Sequence, residues 1–166
     1  TAEVELVVDT GDEWGRNLLL NTAMTSSDNW TISNANSVEY SEGIEFISNS
    51  TYVFLTQNFT LKKGVPYVLS GYFTAINKSL INWSGGTHRG DILPQGNYDK
   101  HYFVYEYTPN EDLVFRLNVY DSGAGKEVSR IERLKLEKGP VATPWTPAPE
   151  DYANYDYENK ECEIEL

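Results

Sequence analysis

The sequence predicts an all-β fold, an antiparallel sandwich of two sheets. Three observations carry that expectation. Apolar and polar residues alternate with a period of two over many short runs, as half-buried strands require. Those runs are rich in β-branched and aromatic residues and are divided at fairly regular spacing by Gly, Pro, Asn and Asp, giving about nine or ten short strands. No stretch carries the glycine-free apolar stripe that an amphipathic helix needs.

The chain has 166 residues, of which 40% are hydrophobic and 23% charged. That balance suits one well-buried domain with short flanks rather than a disordered segment. Aromatic residues make up 13% of the chain, with 12 tyrosines among them. A small core does not need so many rings, so some are expected on a contact surface. The formal net charge of −12 argues against nucleic acid or an anionic membrane as partner, because both require a positive footprint. No apolar run approaches membrane-spanning length, so no membrane insertion is expected. The single cysteine, Cys162, forbids an intrachain disulfide, and the fold must stand on its core.

At the N-terminus, Glu3-Val-Glu-Leu-Val-Val alternates briefly before the turn signal Thr10-Gly-Asp. Glu161-Cys-Glu-Ile-Glu-Leu alternates in the same way at the far end. The two flanks either pair with each other, continue strands of a larger protein, or fray. Arg16-Asn-Leu-Leu-Leu-Asn reads as a buried strand opening the domain. Trp30-Thr-Ile-Ser is the next strand, and Val38-Glu-Tyr with Gly43-Ile-Glu-Phe-Ile forms a short alternating pair. Tyr52 to Leu61 is a long strand that ends at Lys62-Lys-Gly. Pro66 to Ile76 is the strongest strand in the chain. Asn82 to Asp99, with its glycines and a proline, reads as a long loop. Tyr102 to Tyr107, Leu113 to Tyr120 and Val128 to Glu137 complete the set. Gly139-Pro140 then stops the last strand, and Pro144 and Pro147 hold Trp145 on a stiff arm against the sheet.

Several of these segments together resemble carbohydrate-binding-like modules of phage tail and baseplate proteins. They are Arg16-Asn-Leu-Leu-Leu-Asn with Trp30, then Gly64-x-x-Tyr67-x-Leu69-Ser70, then Leu134-Lys-Leu-Glu-Lys-Gly-x-x-Ala-Thr-Pro-Trp with Pro149-Glu-Asp. Some such modules are insertions in the distal tail protein of phages of Gram-positive bacteria. The resemblance spans residues 16–151, leaving 1–15 as an N-terminal flanking segment and 152–166 as an acidic C-terminal one. It implies a jelly roll that binds host cell-wall saccharide, located on the virion tail beside other tail and baseplate proteins. Its shared positions are framework, so it names no binding residue. Structural calcium is common in jelly-roll carbohydrate modules and oxygen ligands are plentiful, but no Asp-x-Asn-x-Asp loop announces a site. No other cofactor is expected, and no metal ligand is assigned.

Catalysis finds little support in the residues. The histidines are His88 and His101, and no His-x-x-x-His, Cys-x-x-Cys, Gly-x-Ser-x-Gly or phosphate-loop pattern occurs. Glu39 and Glu45 sit among polar neighbours on alternating strands, as on a solvated face. A glycosidase pair is defined by spatial separation, which sequence does not give. The expectation is a binding module and not an enzyme.

For binding, Leu113, Phe115, Leu117 and Val119 make a core face, so Arg116, Asn118 and Tyr120 project from the other. On the strong strand, Leu69, Gly71 and Phe73 turn inward and Ser70, Tyr72 and Thr74 outward. If the two strands share a sheet, their outward faces combine rings, a guanidinium and an amide. Sugars need that mixture, since pyranose C–H faces stack on rings while hydroxyls take hydrogen bonds from planar polar groups. Tyr72 and Tyr120 read equally well as cross-strand stabilisers, and Arg116 as the counter-ion of a glutamate. Trp83, in Trp83-Ser-Gly-Gly-Thr-His-Arg-Gly-Asp, is either a stacking ring or a plug for the sandwich end. His88 and Arg89 close over a ligand or are simply solvated. Trp14, Trp30 and Trp145 are assigned to structure. Two competing readings are a structural or protein-docking tail domain without sugar affinity, and the accessory module of a secreted glycan hydrolase.

Overall fold

The computed structural model describes residues 15–84, 86–121 and 127–154. The expected pairing of the termini, Trp14 and Cys162 lie outside these residues. Eight strands form: β1 (Thr31–Ser33), β2 (Ala35–Tyr40), β3 (Ile44–Ser48), β4 (Tyr52–Leu61), β5 (Tyr67–Ser84), β6 (Thr87–Tyr107), β7 (Leu113–Tyr120) and β8 (Ser129–Lys138). Among the described residues a 3-10 turn, Pro149–Asn154, follows. Every strand pair is antiparallel. The all-β expectation holds, and the fold is a jelly-roll sandwich.

β5 is the strand on which both layers are built. Its first part, Tyr67 to Thr74, pairs with β8 from Lys138 to Arg130. Its last part, Ser79 to Asn82, pairs with β7 from Tyr120 to Leu117. β6 follows β5 along the other side through both parts. One layer is therefore β2-β3-β8-β5-β6 and the other β1-β4-β7-β5-β6, joined through the bent hairpin. The bend falls at Asn77, in the left-handed region with φ 57°, which Asn tolerates better than branched residues do. Asn97 Oδ1 accepts from the Asn77 backbone N–H at 2.7 Å, and Gln95 donates to Asn77 Oδ1 at 2.9 Å. Beside the bend, Lys78 is buried and faces Asp121 at 3.8 Å.

Between the layers lies one apolar core. Leu69, Phe73, Ile131, Leu134, Leu136, Ile44 and Phe46 come from one layer, and Val53, Leu55, Leu80, Phe115, Leu117 and Val119 from the other. Trp30 meets Phe115 edge-on at 6.3 Å, so its structural assignment fits. Two expectations about elements need correction. Asn82 to Asp99 is not a loop, because β5 and β6 keep pairing through it with repeated register shifts. Gly86, Gly90, Gly96 and Pro94 are accommodated there because β6 is an edge in both layers, where a missing donor and a kink are tolerated. Arg16 to Asn21 is not a strand either. Its backbone makes one ladder-like bond, Leu18 N–H to Leu136 O at 2.8 Å. Side chains supply the rest. The buried Asn17 amide donates to Leu134 O and Thr146 O and accepts from the Leu136 and Leu19 N–H groups. Gln57 bonds both backbone groups of Leu20, and Asp151 accepts from the Asn21 N–H. An amide that ties three segments replaces a strand's own ladder.

After β8, Gly139 turns at φ 108° and donates to Pro66 O at 2.9 Å. The following arm crosses the outer face of β8. Lys135 and Glu137 point outward in register, yet are only 2% and 1% exposed, because the arm covers them. Lys135 Nζ donates to Thr143 Oγ1 and Pro144 O, both at 2.8 Å, while Glu137 accepts from the Thr143 hydroxyl at 2.7 Å and backbone N–H at 3.1 Å.

Two stability outcomes follow from this packing. A Cβ on Gly71 would meet Leu134 Cδ2 at 2.8 Å and Phe103 Cζ at 3.1 Å in the buried core. Gly71→Ala should therefore destabilise by about 1–3 kcal/mol in urea unfolding. Asn17→Ala strands buried carbonyl and N–H groups and should cost about 2–3 kcal/mol by the same measurement.

Candidate functional site

The outer face of the β1-β4-β7-β5-β6 layer gathers rings. Alternation along β7 turns Phe115, Leu117 and Val119 into the core and leaves Arg116, Asn118 and Tyr120 outside. In register, Tyr120 lies opposite Tyr52 on β4 and Ser79 on β5, and Asn118 lies between Phe54 and Ile81. Tyr52 stands 5.2 Å from Tyr120 and 5.4 Å from Trp83, and Trp83 stands 5.9 Å from His88, measured between ring centroids. Tyr120, Tyr52, Trp83 and His88 thus form one continuous row of tilted rings. All four are partly or well exposed.

Arg116 borders that row. Its guanidinium lies 3.6 Å from the centre of the Phe54 ring, and its Nε donates to Asn118 Oδ1 at 3.3 Å. Burial against these groups pushes its pKa below the ordinary arginine value. Among the described residues it meets no carboxylate, so it is not the counter-ion of a glutamate. Asn118 is outward in register but 1% exposed, and its amide nitrogen has no protein partner. Its visible work is to position the guanidinium.

The sequence-predicted residues divide accordingly. Trp83, His88, Arg116, Asn118 and Tyr120 come together on this layer. Tyr72 does not join them: it lies on the part of β5 that pairs with β8, beyond the Asn77 bend, and so on the outer face of the other layer. Arg89 also turns away from the row. It holds Glu111 at 2.8 Å, its backbone carbonyl receives the Tyr105 hydroxyl, and its side chain is 16% exposed. His88 does not stand free, since it holds Asp91 at 2.8 Å. Tyr52 and Phe54 were legible as outward residues, because Val53 and Leu55 fill the core positions between them, but sequence reasoning passed over them.

Tyr72 has surroundings of its own. Its ring meets Tyr102 of β6 at 5.2 Å. These rings line one side of a groove of about 580 Å³, with Ser70, Arg133 and the arm residues Ala142, Thr143, Pro144 and Trp145 completing it. Trp145 is partly exposed, donates to Thr22 Oγ1 at 3.2 Å and carries the Arg133 guanidinium 4.8 Å above its ring. It serves structure and wall at once.

Among the described residues no group of three or more His, Cys, Asp or Glu gathers as a metal site. His101 is packed edge-on against Tyr98 at 5.2 Å. Glu39 and Glu45 are directly opposite each other, and Glu45 is held by Arg130 at 2.6 Å. The outer faces offer rings, hydroxyls and guanidinium groups.

Fold and surface together define a β-sandwich module with ring-lined outer faces. No protein-family model and no curated protein matches the chain. Solved structures do. The tripod from the baseplate of bacteriophage Tuc2009 is similar with a TM-score of 0.53 at 14% identity, over 82% of this chain and 59% of that one. The low-affinity xylan-binding module CBM86 from Roseburia intestinalis is similar with a TM-score of 0.49 at 9% identity, over 68% and 90% of the two chains. The module BiXyn10A CBM1 gives 0.49 at 11% identity, over 65% and 84%. At 14% identity the likeness to the baseplate tripod is one of fold.

The arm is needed for the groove, and its latch can be cut. Burial pushes the Lys135 pKa down, with Glu137 opposing that shift. Lys135→Met removes both bonds to the arm and leaves Glu137 buried without its cation. The expected result is a loss of about 1–3 kcal/mol in unfolding free energy, with Trp145 emission shifted to the red.

Proposed function

We propose that the chain is a non-catalytic saccharide-binding module of a phage tail or baseplate, adhering to host cell-wall polysaccharide through the Tyr120–Tyr52–Trp83–His88 row. The observation that carries this reading is the unbroken run of partly exposed rings beside the Arg116 guanidinium. Pyranose C–H faces stack on such rings, and a planar donor at their border fixes the hydroxyls. A row of rings running across several strands suits a polymer lying along the surface. The formal charge of −12 favours a neutral glycan at this face, because Arg116 is already engaged by Phe54 and Asn118.

The likeness in fold to a phage baseplate tripod and to a xylan-binding module supports the setting and the ligand class. Each site would bind weakly, and many copies on one virion would make the attachment firm. Structural calcium stays a proposal of the resemblance, for which no acidic cluster speaks among the described residues.

Trp83→Ala and Tyr120→Ala should each weaken retention on purified host-wall polysaccharide by at least about tenfold. Melting temperature should stay within about 4 °C of the parent, since these rings are only partly buried. Normal wall binding by both variants would remove the platform assignment. A parent chain that binds no wall glycan at all would instead favour a structural or protein-docking tail domain.

A further inference from the structure

The groove on the other layer carries one feature that packing does not require. Opposite β5, Ser70 pairs with Lys135 and Tyr72 with Glu132, so Gly71 alone faces both Arg133 and Leu134. That is a β-bulge, with one extra residue on β8. Leu134 turns into the core, where it takes the space a Cβ on Gly71 would fill. Arg133 is thrown outward in the left-handed region at φ 53°. An arginine there is strained, and such strain tends to mark sites where a side chain is being aimed.

Its partners are unusual as well. Arg16, Arg89 and Arg130 each hold a carboxylate within 3.1 Å. Among the described residues Arg133 meets the Trp145 ring and pairs with no acid, as Arg116 does over Phe54, but unlike Arg116 it is exposed. The carboxylates nearest to it in sequence and register are taken: Glu132 by Arg130 at 3.1 Å, and Glu137 by Thr143 on the arm, next to Lys135. An exposed guanidinium is thus presented between the Trp145 wall and the Tyr72–Tyr102 pair, across a groove of about 580 Å³. That volume falls in the ordinary range of small-ligand sites.

We infer that this groove is a second glycan site, and that it takes an anionic saccharide whose carboxylate or phosphodiester pairs with the Arg133 guanidinium while its sugar rings lie against Tyr72, Tyr102 and Trp145. The guanidinium fork matches both acid groups, and a desolvating indole at its back strengthens the pairing. The inference stands apart from the platform reading, since the two surfaces lie on different layers.

The test uses the full chain and three polymers: polygalacturonate for the carboxylate, poly(glycerol phosphate) for the phosphodiester, and dextran as the neutral control. Affinity electrophoresis at low salt should show retardation by at least one acidic polymer. Arg133→Gly suits the left-handed backbone and deletes the guanidinium, so it should weaken that retardation by about tenfold or more without loss of melting temperature. Tyr102→Ala should weaken it too, and Trp83→Ala should not. Retardation by one acidic polymer alone supports the inference and names the acid. It is overturned if the parent ignores both acidic polymers, or if Arg133→Gly and Tyr102→Ala bind them as the parent does. It is equally overturned if Trp83→Ala abolishes acidic binding while Arg133→Gly leaves it intact, a result that would leave the platform standing.

Discussion

A single strand holds both layers together. Because β5 hydrogen-bonds to β8 over its first part and to β7 over its last, the two sheets cannot separate without breaking its ladder. The bend at Asn77 sets their relation, and the amides of Asn97 and Gln95 fix that bend from β6. Everything outside the core inherits this geometry. Residues on one strand that share a period-two face before the bend are delivered to opposite sides of the molecule after it.

That inheritance explains what was legible in the sequence. Alternation alone identified β3, β4, β7 and β8, since each turns a period-two apolar face into the core, and the core residues of β7 follow from it directly. The same alternation placed Arg116, Asn118 and Tyr120 on one outward face. It misplaced Tyr72, because periodicity is local and the bend is not: a left-handed Asn in a polar stretch gives no pattern from which a change of layer can be read. The segment 82–99 was mistaken for a loop for a related reason. Glycine and proline usually end strands, but on an edge that forms no further pairs they only shift the register.

Two further features were beyond a reading of residues one after another. Arg16 to Asn21 looked like a strand from its three leucines. In fact Leu19 is buried by a backbone that the Asn17 side chain holds, and side-chain-to-backbone bonds over more than a hundred residues leave no local trace. Arg133 gave no signal either. Its outward position depends on a bulge that exists because Gly71 yields its space to Leu134. An inward glycine on a strand hints at a bulge, but only the pairing of two distant strands shows that Arg133 is the residue it turns outward. The closing Pro-Trp arm, by contrast, was legible as a stiff cover, and the latch from Lys135 and Glu137 supplies its chemistry.

The bent hairpin gives this sandwich separate ring-lined outer surfaces, and the proposed recognition is confined to them. Tryptophan supplies a reporter for each place: Trp83 on the platform, Trp145 in the groove and Trp30 in the core. The most direct measurement is a titration of the full chain with host-wall oligosaccharide, following the indole N–H resonances. Movement of Trp83 or Trp145, with Trp30 unmoved, is the predicted result. Saturable binding that leaves both of those signals in place would contradict the account.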